Sequence, residues 1–125
     1  MAITQRRSKR KAKGGLYKKQ RKKRKYELGR EPTHTKVGET KKRIKRVKGG
    51  NKKIFLLSSN VVNLVGKDGK HSKAKIKTIV ENKANRHFVR RNILTKGAIV
   101  NTDKGKIKIT SRPGQADSLE GVLIE

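Results

Sequence analysis

The chain has 125 residues, of which 37 are Lys or Arg and 9 are Asp or Glu, a net charge of +28 at neutral pH. That length allows one domain plus tails, and 30% hydrophobic with 3% aromatic content excludes a core running through all of it. A charge this large repels itself until counter-charge arrives from outside, so the expected partner is a polyanion, nucleic acid foremost. There is no cysteine, which excludes a disulfide framework, a thiolate zinc site and a cysteine nucleophile. The longest apolar run, Ile54–Leu57, is far too short to span a bilayer. No apolar segment follows Met1 to act as a signal peptide, so a soluble intracellular protein with no membrane partner is expected.

The charge is uneven. Residues 1–50 hold 21 basic residues against three acids, a net +18, and residues 51–125 hold 16 against six, a net +10. The larger apolar residues of residues 1–40 are too scattered to bury a face. Ordering each residue costs about 1–2 kcal/mol of backbone entropy, so this stretch is expected to be disordered until a partner orders it. Tyr17–Leu28 contains good helix formers, but the run Arg21-Lys22-Lys23-Arg24-Lys25 places like charges on every side. A helix there would need phosphates to neutralise it.

From about Arg43 apolar residues cluster with period two, beginning with Ile44 and Val47. Ile54–Leu57 follows, then Val61-Val62 and Leu64-Val65. Gly66-Lys67-Asp68-Gly69 reads as a turn. Lys73–Val80 alternates, with Ala74, Ile76, Thr78 and Val80 on one face and Lys73, Lys75 and Lys77 on the other; Ile79 breaks the pattern. Phe88-Val89 and Ile93-Leu94 mark another strand region. Gly97–Val100 leads through Asn101-Thr102 to a hairpin at Asp103-Lys104-Gly105, after which Ile107 and Ile109 alternate with Lys106 and Lys108. Val122-Leu123-Ile124 closes the chain. The expected fold is all-β: a small barrel or sandwich of six to seven short antiparallel strands over residues 41–125, carrying a long basic extension over residues 1–40.

Catalytic groups do not converge in this pattern. His34, His71 and His87 lack the i,i+4 spacing of a metal site. Asp68, Asp103 and Asp117 lie in turn-like contexts, where Asp supplies the turn itself. Gly66-Lys67 lacks the spacing of a P-loop, and Gly14-Gly15 and Gly49-Gly50 do not fit a dinucleotide fingerprint. Glycine pairs in a basic context serve better to let backbone approach a phosphate. The four aromatics, Tyr17, Tyr26, Phe55 and Phe88, are too few for a base-stacking platform. Binding should work through phosphates and shape. Electrostatics alone leaves two classes open: a chromatin-type or general nucleic-acid binder, and a structural protein of a large RNA assembly.

Three stretches decide between them. The first is Arg24-Lys25-Tyr26-Glu27-Leu28-Gly29-Arg30, followed by Pro32 and by Thr35-Lys36-Val37-Gly38. The second is Arg46-Val47-Lys48-Gly49-Gly50-Asn51-Lys52-Lys53. The third is Ser111-Arg112-Pro113-Gly114-Gln115, with Ala116-Asp117 and Leu119-Glu120-Gly121. In this order they closely resemble the archaeal and eukaryotic small-subunit ribosomal protein eight family, which is unrelated to the bacterial protein of the same number. The spacing matches the short archaeal form over essentially the whole chain. One departure is Lys13, where the family typically has Ser or Thr before the first glycine pair; a charge there takes the place of a hydroxyl.

The resemblance implies a compact β-barrel whose basic extension runs along ribosomal RNA in the small subunit, in the cytoplasm, beside neighbouring small-subunit proteins. It implies no enzyme activity, no cofactor, no metal and no small-molecule substrate. It carries over Gly14, Gly15, Lys25, Tyr26, Gly29, Arg30, Gly49, Gly50, Asn51, Lys52, Arg112, Pro113 and Gly114 as family-typical positions. Charge adds Arg6, Arg7, Lys9, Arg10, Lys11, Lys13, Lys18, Lys19, Arg21, Lys22, Lys23 and Arg24 in the extension. It further adds Lys36, Lys41, Lys42, Arg43, Arg46, Lys48 and Lys53 as RNA-contacting residues. Glu27 is expected to hold a neighbouring Arg rather than touch phosphate. In Arg112-Pro113-Gly114, Pro presets φ and Gly is expected to supply a positive φ; either the turn displays Arg112 toward RNA or it is purely structural.

Overall fold

The computed structural model describes residues 3, 7–18, 21–22, 24–66 and 69–124. Arg6, Lys19 and Lys23 of the expected RNA contacts, and Lys67-Asp68 of the expected turn, lie outside the described residues. The chain forms two units, Met1–Pro32 and Thr33–Glu125.

The second unit is built of strands. β1 (Lys41–Arg46) and β2 (Lys52–Ser58) form a two-stranded antiparallel ribbon. β3 (Val61–Val65), β4 (His71–Glu81), β5 (Ile99–Thr102), β6 (Gly105–Ile109) and β7 (Glu120–Leu123) form a closed barrel in that order. Each successive pair is antiparallel, and β3 and β7 close the ring in parallel. Parallel closure is a consequence of parity, since in an up-and-down series of five strands the first and fifth run the same way. Closure leaves no barrel edge open to pair with another chain.

Alternation fills the barrel. Val62 and Leu64 of β3, Val100 of β5 and Ile107 and Ile109 of β6 point inward and are buried, while Lys106 and Lys108 point out. Leu56, Leu94, Ala98 and Leu119 complete the core from outside the barrel strands. The β5–β6 hairpin turns at Asp103-Lys104 as the sequence predicts. Thr102 Oγ1 donates to the Gly105 carbonyl at 2.8 Å, and Asp103 Oδ1 accepts from the Lys75 amide at 3.0 Å. Gly69 supplies a positive φ in the β3–β4 turn.

Four sequence expectations change. In β4 the buried residues are Ala74, Ile76 and Ile79, whereas Thr78 and Val80 are exposed. A β-bulge between Ile76 and Thr78 slips the register against β5 by one residue, and the face that was outward becomes inward. Ile79 was therefore the signal of the bulge. Phe88-Val89 is not strand: His87–Arg90 is one turn of helix, α1. Asn85 Oδ1 accepts from the His87 amide at 2.9 Å, and Asn92 leaves the turn at φ 52°. Ile44 does not join the core, being 64% exposed on the ribbon. Gly114 is not at positive φ; the turn instead closes by the Gln115 and Ala116 amides donating to the Arg112 carbonyl, both at 2.9 Å.

Residues 33–37, basic-tail sequence by composition, belong to the packed unit. Thr35 is buried and its hydroxyl donates to the Leu56 carbonyl at 2.6 Å. Lys36 bridges Ser58 on one side and Ile93 on the other. Asn82 joins the neighbouring loops, its Nδ2 donating to the Ile93 carbonyl while its Oδ1 accepts from the Ala84 amide and the Thr95 hydroxyl.

The first unit has no buried residue among those described. Its order is local. Lys9–Tyr17 turns back on itself through Gly14 at φ 84°, with the Lys11 amide donating to the Gly15 carbonyl at 2.8 Å and the Tyr17 amide to that of Lys9 at 3.0 Å. Of Tyr17–Leu28, the described residues show one 3-10 turn, Lys25–Glu27, and no α-helix.

Candidate nucleic-acid interface

The two units present their cations in different ways. In the first, short turns spread the basic side chains without a core to direct them. Arg7, Lys9, Arg10, Lys11, Lys13, Lys18, Arg21, Lys22, Arg24, Lys25 and Arg30 are all exposed, as are Gly14, Gly15 and Tyr26. Two local contacts give this surface shape. The Arg7 guanidinium lies 3.9 Å over the Tyr17 ring and the Lys11 ammonium 5.7 Å from it, a cation–π pairing that holds both charges at one place. Glu27 takes Arg21 in a bidentate grip at 2.6 and 3.3 Å and accepts the Arg24 amide at 3.2 Å. The hydrogen bond to Glu27 holds the Arg21 pKa above its ordinary value. Glu27 thus organises a neighbouring arginine, as its sequence context suggests.

The second unit offers the β1–β2 ribbon. All six residues of β1 are exposed, and so are Lys52 and Lys53 at the start of β2. The connecting turn, Lys48–Gly50, places Gly49 at φ 70° and Gly50 at φ 76°, a conformation glycine adopts without a Cβ penalty. Asn51 Nδ2 donates to the Lys48 carbonyl across it. This explains why that motif carries two glycines and an asparagine in sequence. The ribbon is tied to the barrel at its far end, where Leu56 enters the core and its amide donates to the Pro113 carbonyl at 3.0 Å. Pro113 is buried and Arg112 exposed beside it, so the turn is a packing element that also displays a cation. Lys36 is exposed next to the same strand end.

Further exposed cations were outside the set read from sequence. Lys73, Lys75 and Lys77 line the outside of β4, Lys106 and Lys108 the outside of β6, and Arg86, Arg90 and Arg91 surround α1. The strand lysines were legible as the polar half of each alternation. The arginines around α1 were hidden by reading that segment as strand. Among the described residues no cluster of His, Asp or Glu could hold a metal ion, and no helix is long and apolar enough to cross a membrane.

The ribosomal protein S8e family model matches residues 4–124. This chain belongs to the ribosomal protein S8e family. It is 57% identical over 113 residues to a small ribosomal subunit protein eS8 of Nanoarchaeum equitans, covering 90% of this chain and 89% of that one. It is 47% identical over 119 residues to the protein of that name in Methanosarcina barkeri, covering 94% and 95%, and 48% identical over 120 residues to that of Methanococcoides burtonii, covering 95% and 96%. Family membership makes the chain a structural component of the ribosome rather than an enzyme. It bears out the resemblance, and the closed barrel of the structure is the one expected from it.

Proposed function

We propose that the chain serves in the small ribosomal subunit, in the cytoplasm, as an electrostatic filler for ribosomal RNA. The arm, read from composition as residues 1–40 and narrowed to residues 1–32 by the packing of Thr35 in the second unit, takes its order from the phosphates it neutralises, and the barrel fixes where the arm starts. The ribbon, Arg112 and the outer lysines of β4 and β6 extend the same contact. The observation that carries this reading is a deficit of counter-charge. Were each of the 9 carboxylates matched to one cation, 28 of the 37 Lys and Arg would still have no carboxylate to neutralise them. Nearly every described cation lies at the surface, where phosphate can reach it. The arm's turns, held by Gly14 and by Glu27, position arginines without burying them. Neighbouring small-subunit proteins are the further partners.

The test is the salt dependence of binding by the purified chain, with small-subunit ribosomal RNA and with duplex DNA of equal mass. If about ten phosphates are neutralised, log affinity falls with log salt at a slope of about −7 to −9. RNA is expected to retain the chain against a DNA competitor at moderate salt. Equal partition onto DNA would favour general nucleic-acid binding and contradict the proposed selectivity for structured RNA.

A further inference from the structure

Resting on the RNA-neutralising reading above, we infer that the β1–β2 ribbon is seated between two separate RNA phosphate backbones, one against each face. In an antiparallel pair, residues opposite one another share a face and neighbours along a strand alternate. The register pairs Arg46 with Lys52, Ile44 with Ile54 and Lys42 with Leu56, which puts Lys42, Arg46 and Lys52 on one face. It pairs Lys45 with Lys53 and Arg43 with Phe55, which puts three more cations on the other. The barrel strands differ in kind. Lys106 and Lys108 of β6 share the outer face while Ile107 and Ile109 are buried, so β6 can meet phosphate from one side alone.

The charges directly opposite one another sharpen the argument. Like charges facing across a ladder destabilise the pairing, and the ribbon has one such pair on each face, Arg46 with Lys52 and Lys45 with Lys53. An isolated two-stranded hairpin is marginal in water even without that repulsion. Among the described residues, Lys42 is the strand cation of the ribbon with an ion pair, to Asp117 at 3.7 Å, well away from both repelling pairs. A phosphate backbone against one face relieves one repelling pair and leaves the other. Backbones on both faces relieve both, and the exposure of all of β1 and of Lys52 and Lys53 leaves both faces accessible at the turn end of the ribbon, where the repelling pairs lie, while Leu56 at the other end packs into the core.

Two adjacent residues test this, because Lys45 and Arg46 point to opposite faces. The chain has no cysteine, so Lys45→Cys, Arg46→Cys and, in the arm, Lys13→Cys each take one benzophenone maleimide without background. Each labelled chain is assembled with small-subunit ribosomal RNA and the other subunit proteins, irradiated, and its crosslinks mapped by reverse-transcription stops. The expected result is that positions 45 and 46 mark nucleotides on two different RNA strands, with position 13 also on RNA. Crosslinks from 45 and 46 to one and the same strand overturn the inference. So do crosslinks from either face to protein alone, or to nothing, while position 13 still reaches RNA. If position 13 fails to reach RNA as well, the RNA-neutralising reading falls and this inference with it. An independent measurement needs no label. The double variants Lys45→Ser/Lys53→Ser and Arg46→Ser/Lys52→Ser should each make the salt slope shallower by about 1.4–1.8. A slope unchanged in either one contradicts a contact on that face.

Discussion

Gly121→Ala is expected to destabilise the barrel by about 1–3 kcal/mol, the usual cost of forcing a methyl group into a filled core. Gly121 is buried in β7, opposite Leu64 on one side and Ile109 on the other. A Cβ there would collide with Ile107 Cγ2 and come within 3.0 Å of the Lys108 carbonyl oxygen and 3.4 Å of Val62 Cγ2. Ile107 is fully buried and branched at Cβ, so it has no free rotamer to retreat into. The carbonyl belongs to the β6–β7 ladder and cannot move without breaking it. Against this, replacing Gly by Ala recovers only about 0.4–1 kcal/mol from the unfolded chain, so the collision wins. Gly114→Ala provides the contrast. Its Cβ would meet Thr33 Oγ1 at 3.5 Å, ordinary contact, and its φ is not positive. That variant is expected to be at least as stable as the parent chain, by up to about 1 kcal/mol. The chain lacks Trp, so urea unfolding followed by far-ultraviolet circular dichroism is the suitable measurement. Equal midpoints for Gly121→Ala and the parent would mean that β3, β6 and β7 are not packed as described.

Removing residues 1–32 is expected to leave the circular dichroism of the strands intact while nearly abolishing retention in the small subunit. The segment holds 14 Lys and Arg against two Glu. If half of those cations touch phosphate, the salt slope becomes shallower by about 5–6. Near-physiological salt then suffices to release the truncated chain, with an affinity lower by roughly two orders of magnitude or more. Folding should survive, because residues 33–124 contain every buried residue among those described. Normal retention of the truncated chain after a moderate salt wash would shift the binding role to the barrel and ribbon.

Much of the barrel was legible because half-buried strands write their geometry into sequence with a period of two. Ile107 and Ile109 between Lys106 and Lys108 could be read directly. The same signal misled where its cause differed. Ile44 keeps the strand period on a ribbon with water on both sides, so periodicity marked a strand correctly and a core wrongly. The β4 bulge left a single trace, Ile79 out of phase, and one residue does not distinguish an inserted position from an exposed isoleucine. Phe88-Val89 and Ile93-Leu94 are short apolar pairs that fit a strand or a helical turn equally well. What decided between them was Asn85 binding the His87 amide, a contact that periodicity does not encode. At the candidate interface, composition marked a basic arm, and the glycine pairs marked one turn in the arm and one in the ribbon. The facing like charges of the ribbon needed the register, which sequence alone does not set.

The central claim is that the arm's own turns, with no buried residue among those described to hold them, persist only once RNA phosphates neutralise its charge. Amide hydrogen exchange, read residue by residue on the purified chain with and without small-subunit ribosomal RNA, measures this most directly. Without RNA, residues 1–32 should exchange at nearly the unprotected rate while Val62, Val100 and Ile107 stay protected, and RNA should slow the arm markedly. Strong protection of the arm in the RNA-free chain would contradict the claim.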